Sequence, residues 1–197
     1  GRLLLDPFCG SGTIPIEAAL IGRNIAPGLN RRFASEEWPA IPAKLWKEER
    51  KAAFEAIRYD ADIRIEASDI LPAAVRAARE NALEAGVDDC IDFKTRPLAD
   101  VRFSEDYGIM ICNPPYGERI GERDEILRIY SDLRKLFEGN PTWSLYLITT
   151  DKDFEKLVFG RPADRRRKLY NGRLEVTYYQ YYGTKPPKAD RAQDETG

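Results

Sequence analysis

Leu3-Leu4-Leu5-Asp6-Pro7-Phe8-Cys9-Gly10-Ser11-Gly12-Thr13-Ile14 is the stretch on which the fold class turns. Three leucines make a short apolar strand that closes on Asp6, and the chain then breaks into a Gly-rich turn from Cys9 to Gly12. From Thr13 to Gly22 the apolar residues Ile14, Ala18, Leu20 and Ile21 suit a helix, with Gly22 at its end. In open α/β sheets a strand, tight turn and helix in this order place a ligand beyond the carboxyl ends of the strands, where strand order reverses. Gly10 and Gly12 allow close backbone approach to such a ligand, and the free N–H groups at the start of the helix suit a carboxylate. The spacing departs from the dinucleotide pattern G-x-G-x-x-G and no phosphate-binding Lys follows, which weakens a nicotinamide or ATP reading. A turn that only packs strand against helix is the alternative.

Outward from this unit the chain continues to alternate. Residues 23–42, rich in Pro, Gly and Arg, form an irregular connection with Phe33 and Trp38 as aromatic anchors, and a helix is expected from Ala43 to Arg58. Ile63, Ile65 and Ala67 alternate up to Asp69, and Pro72 stands in the first turn of a helix that runs to Gly86. A third strand is expected over Ile91 to Lys94 and a buried fourth over Ile109 to Cys112. Ile126, Leu127, Tyr130, Leu133, Leu136 and Phe137 then repeat at helical spacing through residues 124–138. Ser144 to Thr149 reads as a strand, Asp153 to Phe159 as a short helix and Leu174 to Tyr182 as the last strand. The polar tail from Lys185 onward is expected to be disordered. Strands alternating with helices imply a parallel, doubly wound sheet covered on both faces.

Two further positions carry chemistry. Asp69 ends the second strand, where a carboxylate can accept hydrogen bonds from the ribose hydroxyls of a nucleoside cofactor, or can cap the helix that follows. Asn113-Pro114-Pro115-Tyr116 follows the fourth strand directly. An exocyclic base amine is a poor nucleophile because its lone pair is delocalised into the ring. The side-chain oxygen of Asn113 and the carbonyl of Pro114, aimed at its hydrogens, favour a pyramidal nitrogen and steady the positive charge that develops there. The prolines stiffen the backbone, and Pro115 brings no competing N–H donor. Tyr116 offers a ring on which a base turned out of its stack can rest. The competing reading is a Pro-rich turn that merely ends a strand.

Composition narrows the chemistry. A chain of 197 residues with 43% hydrophobic residues suits one globular domain. It has no histidine, so Ser-His and Cys-His catalysis cannot be assembled, and no metal centre is expected. Cys9, Cys90 and Cys112 are isolated in the sequence, which points away from a disulfide framework or a zinc knuckle. No apolar run approaches a membrane span and no leader stands at Gly1, so a soluble, cytoplasmic protein is expected. A net charge of -2 argues against a domain that grips nucleic acid by global electrostatics, and any such binding must be local or delegated.

These residues resemble the class I S-adenosylmethionine-dependent methyltransferases. The resemblance is closest to the catalytic domain of the bacterial THUMP-containing ribosomal RNA guanine-N2 methyltransferases. It rests on Asp6 to Thr13, on Ile25 to Arg31 with Phe33 and Trp38, on Asn113 to Gly121, and on Lys168-Leu-Tyr-Asn-Gly172. It implies a Rossmann-like, mostly parallel seven-stranded sheet with helices on both faces, within a domain over residues 1–184. It also implies a cofactor site of Asp6, Phe8, Gly10, Gly12, Thr13, Asp69, Ile70 and Asn113, and amine methylation by Asn113, Pro114 and Tyr116. The partner implied is ribosomal RNA, with tRNA or an adenine N6 amine as alternatives, and a cofactor-binding module without activity as the reading from another class. The acid that the class often places after the third strand has no direct counterpart. Thr95, Arg96 and Pro97 stand there, Asp100 comes late, and backbone groups are left to meet the adenine. The helix and RNA-binding THUMP domain that precede the catalytic domain in that family are not in this sequence, so much of the RNA affinity is expected to lie outside it.

For RNA contact, Arg119 and Arg123 beside the Asn113 loop are candidates. Arg166 and Arg167, in the basic run from Arg161 to Arg173, are candidates too, although a solvated surface is an equal reading of such a run. Tyr178, Tyr179, Tyr181 and Tyr182 look like a stacking platform, but residues on one strand alternate between faces and most are better read as core.

Overall fold

The computed structural model describes residues 1–116 and 122–187. Seven strands form one sheet: β1 (Leu4–Asp6), β2 (Ile65–Asp69), β3 (Ile91–Thr95), β4 (Ile109–Cys112), β5 (Ser144–Thr149), β6 (Arg165–Asn171) and β7 (Leu174–Tyr181). The helices are α1 (Thr13–Gly22), α2 (Ala43–Glu55), α3 (Pro72–Ala85), α4 (Glu122–Phe137) and α5 (Phe154–Val158). Strand order is β3-β2-β1-β4-β5-β7-β6. The first five strands run parallel, and the order reverses between β1 and β4, so the loops leaving those two strands open side by side at one edge.

Side-chain alternation divides the core into two layers. Leu5, Met110, Cys112, Leu145 and Leu147 face α4 and α5 and pack with Tyr130, Leu133 and Phe154. Ile65, Ala67, Ile91 and Phe93 face the other way, beneath α1 and α3, against Ala19, Val75, Ala78 and Ala82. Those alanines let helix and sheet approach closely, which brings the start of α1 down beside β2. Pro72 occupies the first turn of α3, and Gly86 takes the left-handed conformation (φ 70°) that ends it.

The seven-stranded, mostly parallel sheet that the resemblance implies is present, and its antiparallel part is β7, which runs against β5 and pairs with β6 as a hairpin. β6 reads Arg165-Arg166-Arg167-Lys168-Leu169-Tyr170-Asn171, a basic run without apolar alternation, and it becomes a strand by pairing with β7 at the sheet edge, where charge is tolerated. The connection before α2 is anchored differently from the expected way. Phe33 stacks on Trp46 at 5.8 Å and Arg50 binds the carbonyls of Leu29 and Arg31, whereas Trp38 is exposed. Of the four tyrosines near the end, Tyr179 and Tyr181 are core, as alternation requires. Residues 188–197, most of the tail expected to be disordered, lie outside the described residues.

Candidate active site

The turn after β1 is built by hydrogen bonds to its neighbours. Asp6 is fully buried at the end of β1, and one of its carboxylate oxygens accepts the Phe8 N–H at 3.1 Å. The other oxygen has no partner among the described residues. Burial pushes the Asp6 carboxyl up to about 7, the Phe8 N–H opposes this, and the nearby Asp69 charge adds to it. Next, Cys9 donates to the Ser68 carbonyl at 2.9 Å and Gly12 to the Cys9 carbonyl at 2.7 Å, closing the turn. Asp69 then ties two loops together, accepting the Gly10 N–H at 3.0 Å on one oxygen and the Leu71 N–H at 2.9 Å on the other. A carboxylate offers about four lone-pair positions, so Asp69 retains acceptor capacity toward a ligand.

The two glycines of the turn have different tasks. Gly12 (φ +89°) lies under the contact between α1 and α3, where an added Cβ would sit 3.1 Å from both Ala78 Cβ and Ile16 Cδ1. At Gly10 (φ +52°) no atom lies within 4 Å of that position, and Gly10 lines a cavity. One glycine permits packing; the other leaves room.

That cavity has a volume of about 530 Å³ and opens where strand order reverses. Phe8 and Gly10 of the first loop, Asp69, Ile70 and Leu71 after β2, and Pro97 to Ala99 after β3 form one side. Asn113 and Pro115 from the tip of β4, with Glu125, Arg128, Ile129 and Asp132 of α4, form the other. Five of the expected positions, Phe8, Gly10, Asp69, Ile70 and Asn113, therefore line one space. Asp6, Gly12, Thr13, Pro114 and Tyr116 do not line it; Asp6, Gly12 and Pro114 are buried beside it. The Tyr116 ring is half-buried, and its hydroxyl is buried without a partner among the described residues.

The wall contributed by α4 was not anticipated, although its signal was present. Glu125, Arg128, Ile129 and Asp132 fall at i, i+3, i+4 and i+7, a single helical stripe adjoining the core-facing Ile126, Tyr130 and Leu133. After β3, Pro97, Leu98 and Ala99 reach the cavity but Asp100 does not. Neighbouring thiols are inert: burial lifts Cys9 to about 12 and Cys112 well above its ordinary range, so neither forms a thiolate near neutrality.

Of the RNA-contact candidates among the described residues, Arg123, Arg166 and Arg167, none lines the cavity. Arg123 is held by the nearly buried Asp151 carboxylate at 2.5 Å, just beyond β5, and remains half exposed. Arg166 pairs with Glu155 at 3.0 Å. Arg167 is exposed, and Arg119 lies outside the described residues.

This architecture agrees with the comparisons. Residues 1–180 match the family described as RMKL-like, methyltransferase domain. The chain belongs to that family. It is 45% identical over 193 residues to the "Putative RNA methyltransferase YpsC" of Bacillus subtilis (strain 168), covering 98% of this chain and 50% of that protein. It is 39% identical over 183 residues to the "Ribosomal RNA large subunit methyltransferase K/L" of Shewanella amazonensis, covering 90% of this chain and 26% of that protein. The crystal structure of SMU.472 complexed with SAH superposes with a TM-score of 0.88 at 44% identity, over 94% of this chain and 49% of that one. The chain thus spans half or less of the length of each of these three relatives. The sheet order is that of the class I methyltransferase fold.

Proposed function

We propose that this domain catalyses transfer of a methyl group from S-adenosylmethionine to the exocyclic N2 amine of a guanine in large-subunit ribosomal RNA. The observation that carries the reading is that Asn113, at the tip of β4, shares one cavity with the bare backbone of Gly10 and the carboxylate of Asp69. The relative named for large-subunit ribosomal RNA and the relative solved with SAH support it.

The residues present fit the cofactor. Space left open at Gly10 receives its amino-acid end, the free acceptor capacity of Asp69 suits ribose hydroxyls, and the backbone of Pro97 to Ala99 with Ile70 and Leu71 suits the adenine. Asp69, Glu125 and Asp132 against Arg128 give the lining an acidic balance that favours a cation. When bound, the cofactor supplies an electrophilic methyl group on a sulfonium.

The chain's own residues do the rest. Asn113 accepts an N–H of the target amine on its side-chain oxygen, which orients the nitrogen lone pair and stabilises the charge that develops there. Pro114, buried, and Pro115 hold that oxygen in place, and the Tyr116 ring supports the base. The proton released from the methylated amine passes to water. Much of the RNA affinity is assigned to the part of the whole protein beyond this domain, in keeping with the partial coverage of its relatives. As an enzyme of bacterial-type RNA processing it is placed in the cytoplasm; among the described residues no helix is long and apolar enough to cross a membrane.

The test is to supply tritiated cofactor to the full-length protein with undermodified ribosomal RNA, tRNA and DNA, and to identify the labelled nucleoside. N2-methylguanosine in ribosomal RNA is the expected result. Label in adenosine, or in tRNA alone, would overturn the substrate assignment. Tight cofactor uptake with no label in any pool would show a binding module.

A further inference from the structure

The Lys168-Leu169-Tyr170-Asn171-Gly172 segment is not used by the cavity, yet its place in the fold is specific. Asn171 pairs with Leu174, leaving Gly172 and Arg173 as a two-residue turn with Gly172 at φ +62°, the positive φ that a tight hairpin requires at its first central position. Thr149, the last residue of β5, pairs with Thr177. Leu174 to Val176 and their partners Leu169 to Asn171 therefore continue past the end of β5, by ~10 Å at ~3.3 Å per residue.

This projection has a direction. β5 runs parallel to β4, so the hairpin tip rises from the same sheet edge as Asn113. It stands two to three strands to the side, ~10–15 Å at ~4.8 Å per strand. Arg123, held at Asp151 beyond β5, lies between the two.

The tip is chemically unlike the rest of the surface. Between Arg161 and Arg173 stand six basic residues and one acidic residue, in a chain whose net charge is -2. Arg166 and Lys168 have carboxylate partners in Glu155 and Glu175, while Arg165, Arg167 and Arg173 have no ion-pair partner among the described residues. Tyr170 is 64% exposed, an aromatic ring held in solvent near the end of the β6–β7 hairpin. An exposed ring beside Lys168, with Arg173 at the adjoining turn, fits an unstacked base and its phosphates better than it fits a protein surface.

From this we infer that the β6–β7 tip is a docking arm for single-stranded RNA flanking the target nucleotide, with Tyr170 stacking on a base and Arg173 at the turn meeting a phosphate. The inference rests on the RNA reading above and adds a second contact point beside the cavity. It also explains why a strongly basic sequence is kept as a strand: pairing with β7 holds Tyr170 and the cations at a fixed distance from Asn113.

The experiment uses the full-length protein, a short fluorescein-labelled single-stranded RNA for anisotropy, undermodified ribosomal RNA for kinetics, and calorimetry with SAH as a control. Tyr170→Ala is expected to weaken RNA binding about tenfold, within the ~1–3 kcal/mol of a base–aromatic stack, and to raise KM for RNA with kcat and SAH affinity unchanged. Tyr170→Phe keeps the ring and is expected to bind as the wild type does. Arg173→Gln is expected to reduce the slope of log affinity against log salt by about 0.7, the effect of one phosphate contact on a single strand. RNA affinity within twofold of wild type in Tyr170→Ala and an unchanged slope in Arg173→Gln would overturn the arm alone. Absence of RNA affinity in the wild type would overturn the RNA reading, and the arm with it.

Discussion

Alanine placed at Gly12 and at Gly10, two residues apart in one turn, should give opposite phenotypes. At Gly12 the left-handed backbone alone costs a non-glycine residue about 1–2 kcal/mol. The new methyl also meets Ala78 and Ile16 at 3.1 Å in a contact between two helices and the sheet, and overpacking of this kind costs about 1–3 kcal/mol more. The sum, about 2–5 kcal/mol, lowers the melting temperature by roughly 5–20 °C in a domain of this size. Gly10→Ala carries the backbone term without the clash, so its loss is nearer 1–2 kcal/mol. Its methyl stands instead on the wall of the cavity, and SAH affinity should fall about tenfold, equivalent to ~1.4 kcal/mol. Below its own transition Gly12→Ala should bind SAH within threefold of wild type. Denaturant unfolding and titration calorimetry on the two variants separate the cases. Equal stabilities, or normal SAH binding by Gly10→Ala, would refute the division of labour assigned to the turn.

Two other substitutions probe the floor of the site. Asp69→Ala removes the acceptor for both the Gly10 and Leu71 N–H groups, each a charge-assisted bond of about 1.5–3 kcal/mol, so equilibrium unfolding should show a loss of several kcal/mol together with weakened SAH binding. Asp6→Asn tests the buried carboxyl. Because its folded-state pKa is raised from 3.8 to about 7, the unfolded chain gives up the proton first, and stability falls as pH rises from about 4 to 7 and then levels off. A neutral amide has no such term, so Asp6→Asn should lose this part of the slope and gain relative stability at pH 8 by up to about 4 kcal/mol. Parallel stability profiles for the two proteins between pH 4 and 8 would contradict the assignment.

Much of this molecule is legible in its sequence because local signals and tertiary context agree over β1, α1, β4 and α4. The Gly-rich turn and the Asn113 loop were each readable, and chain order alone placed both at the edge where strand order reverses. Misreadings arose where context overrides local pattern. β6 carries four consecutive basic residues and no alternation, and only its pairing with β7 makes it a strand. Asp6 is buried completely beneath the turn with one carboxylate oxygen unpartnered among the described residues, a depth that depends on packing from β2 and that local sequence does not show. The polar stripe of α4 is visible as spacing, but that it faces the cavity follows only from the crossover between β4 and β5. Trp38 shows the reverse case: a loop aromatic suggests an anchor, but Trp46 is stacked by Phe33 and Trp38 stays exposed.

The account depends on Asn113 acting on the substrate amine and not on the cofactor. Single-turnover methyl transfer by Asn113→Ala, measured alongside SAH affinity, tests this directly. The expected result is a rate lower by about 100-fold or more, as for loss of one preorganised transition-state contact, with SAH affinity within threefold of wild type. Transfer at the wild-type rate with intact cofactor binding would contradict it.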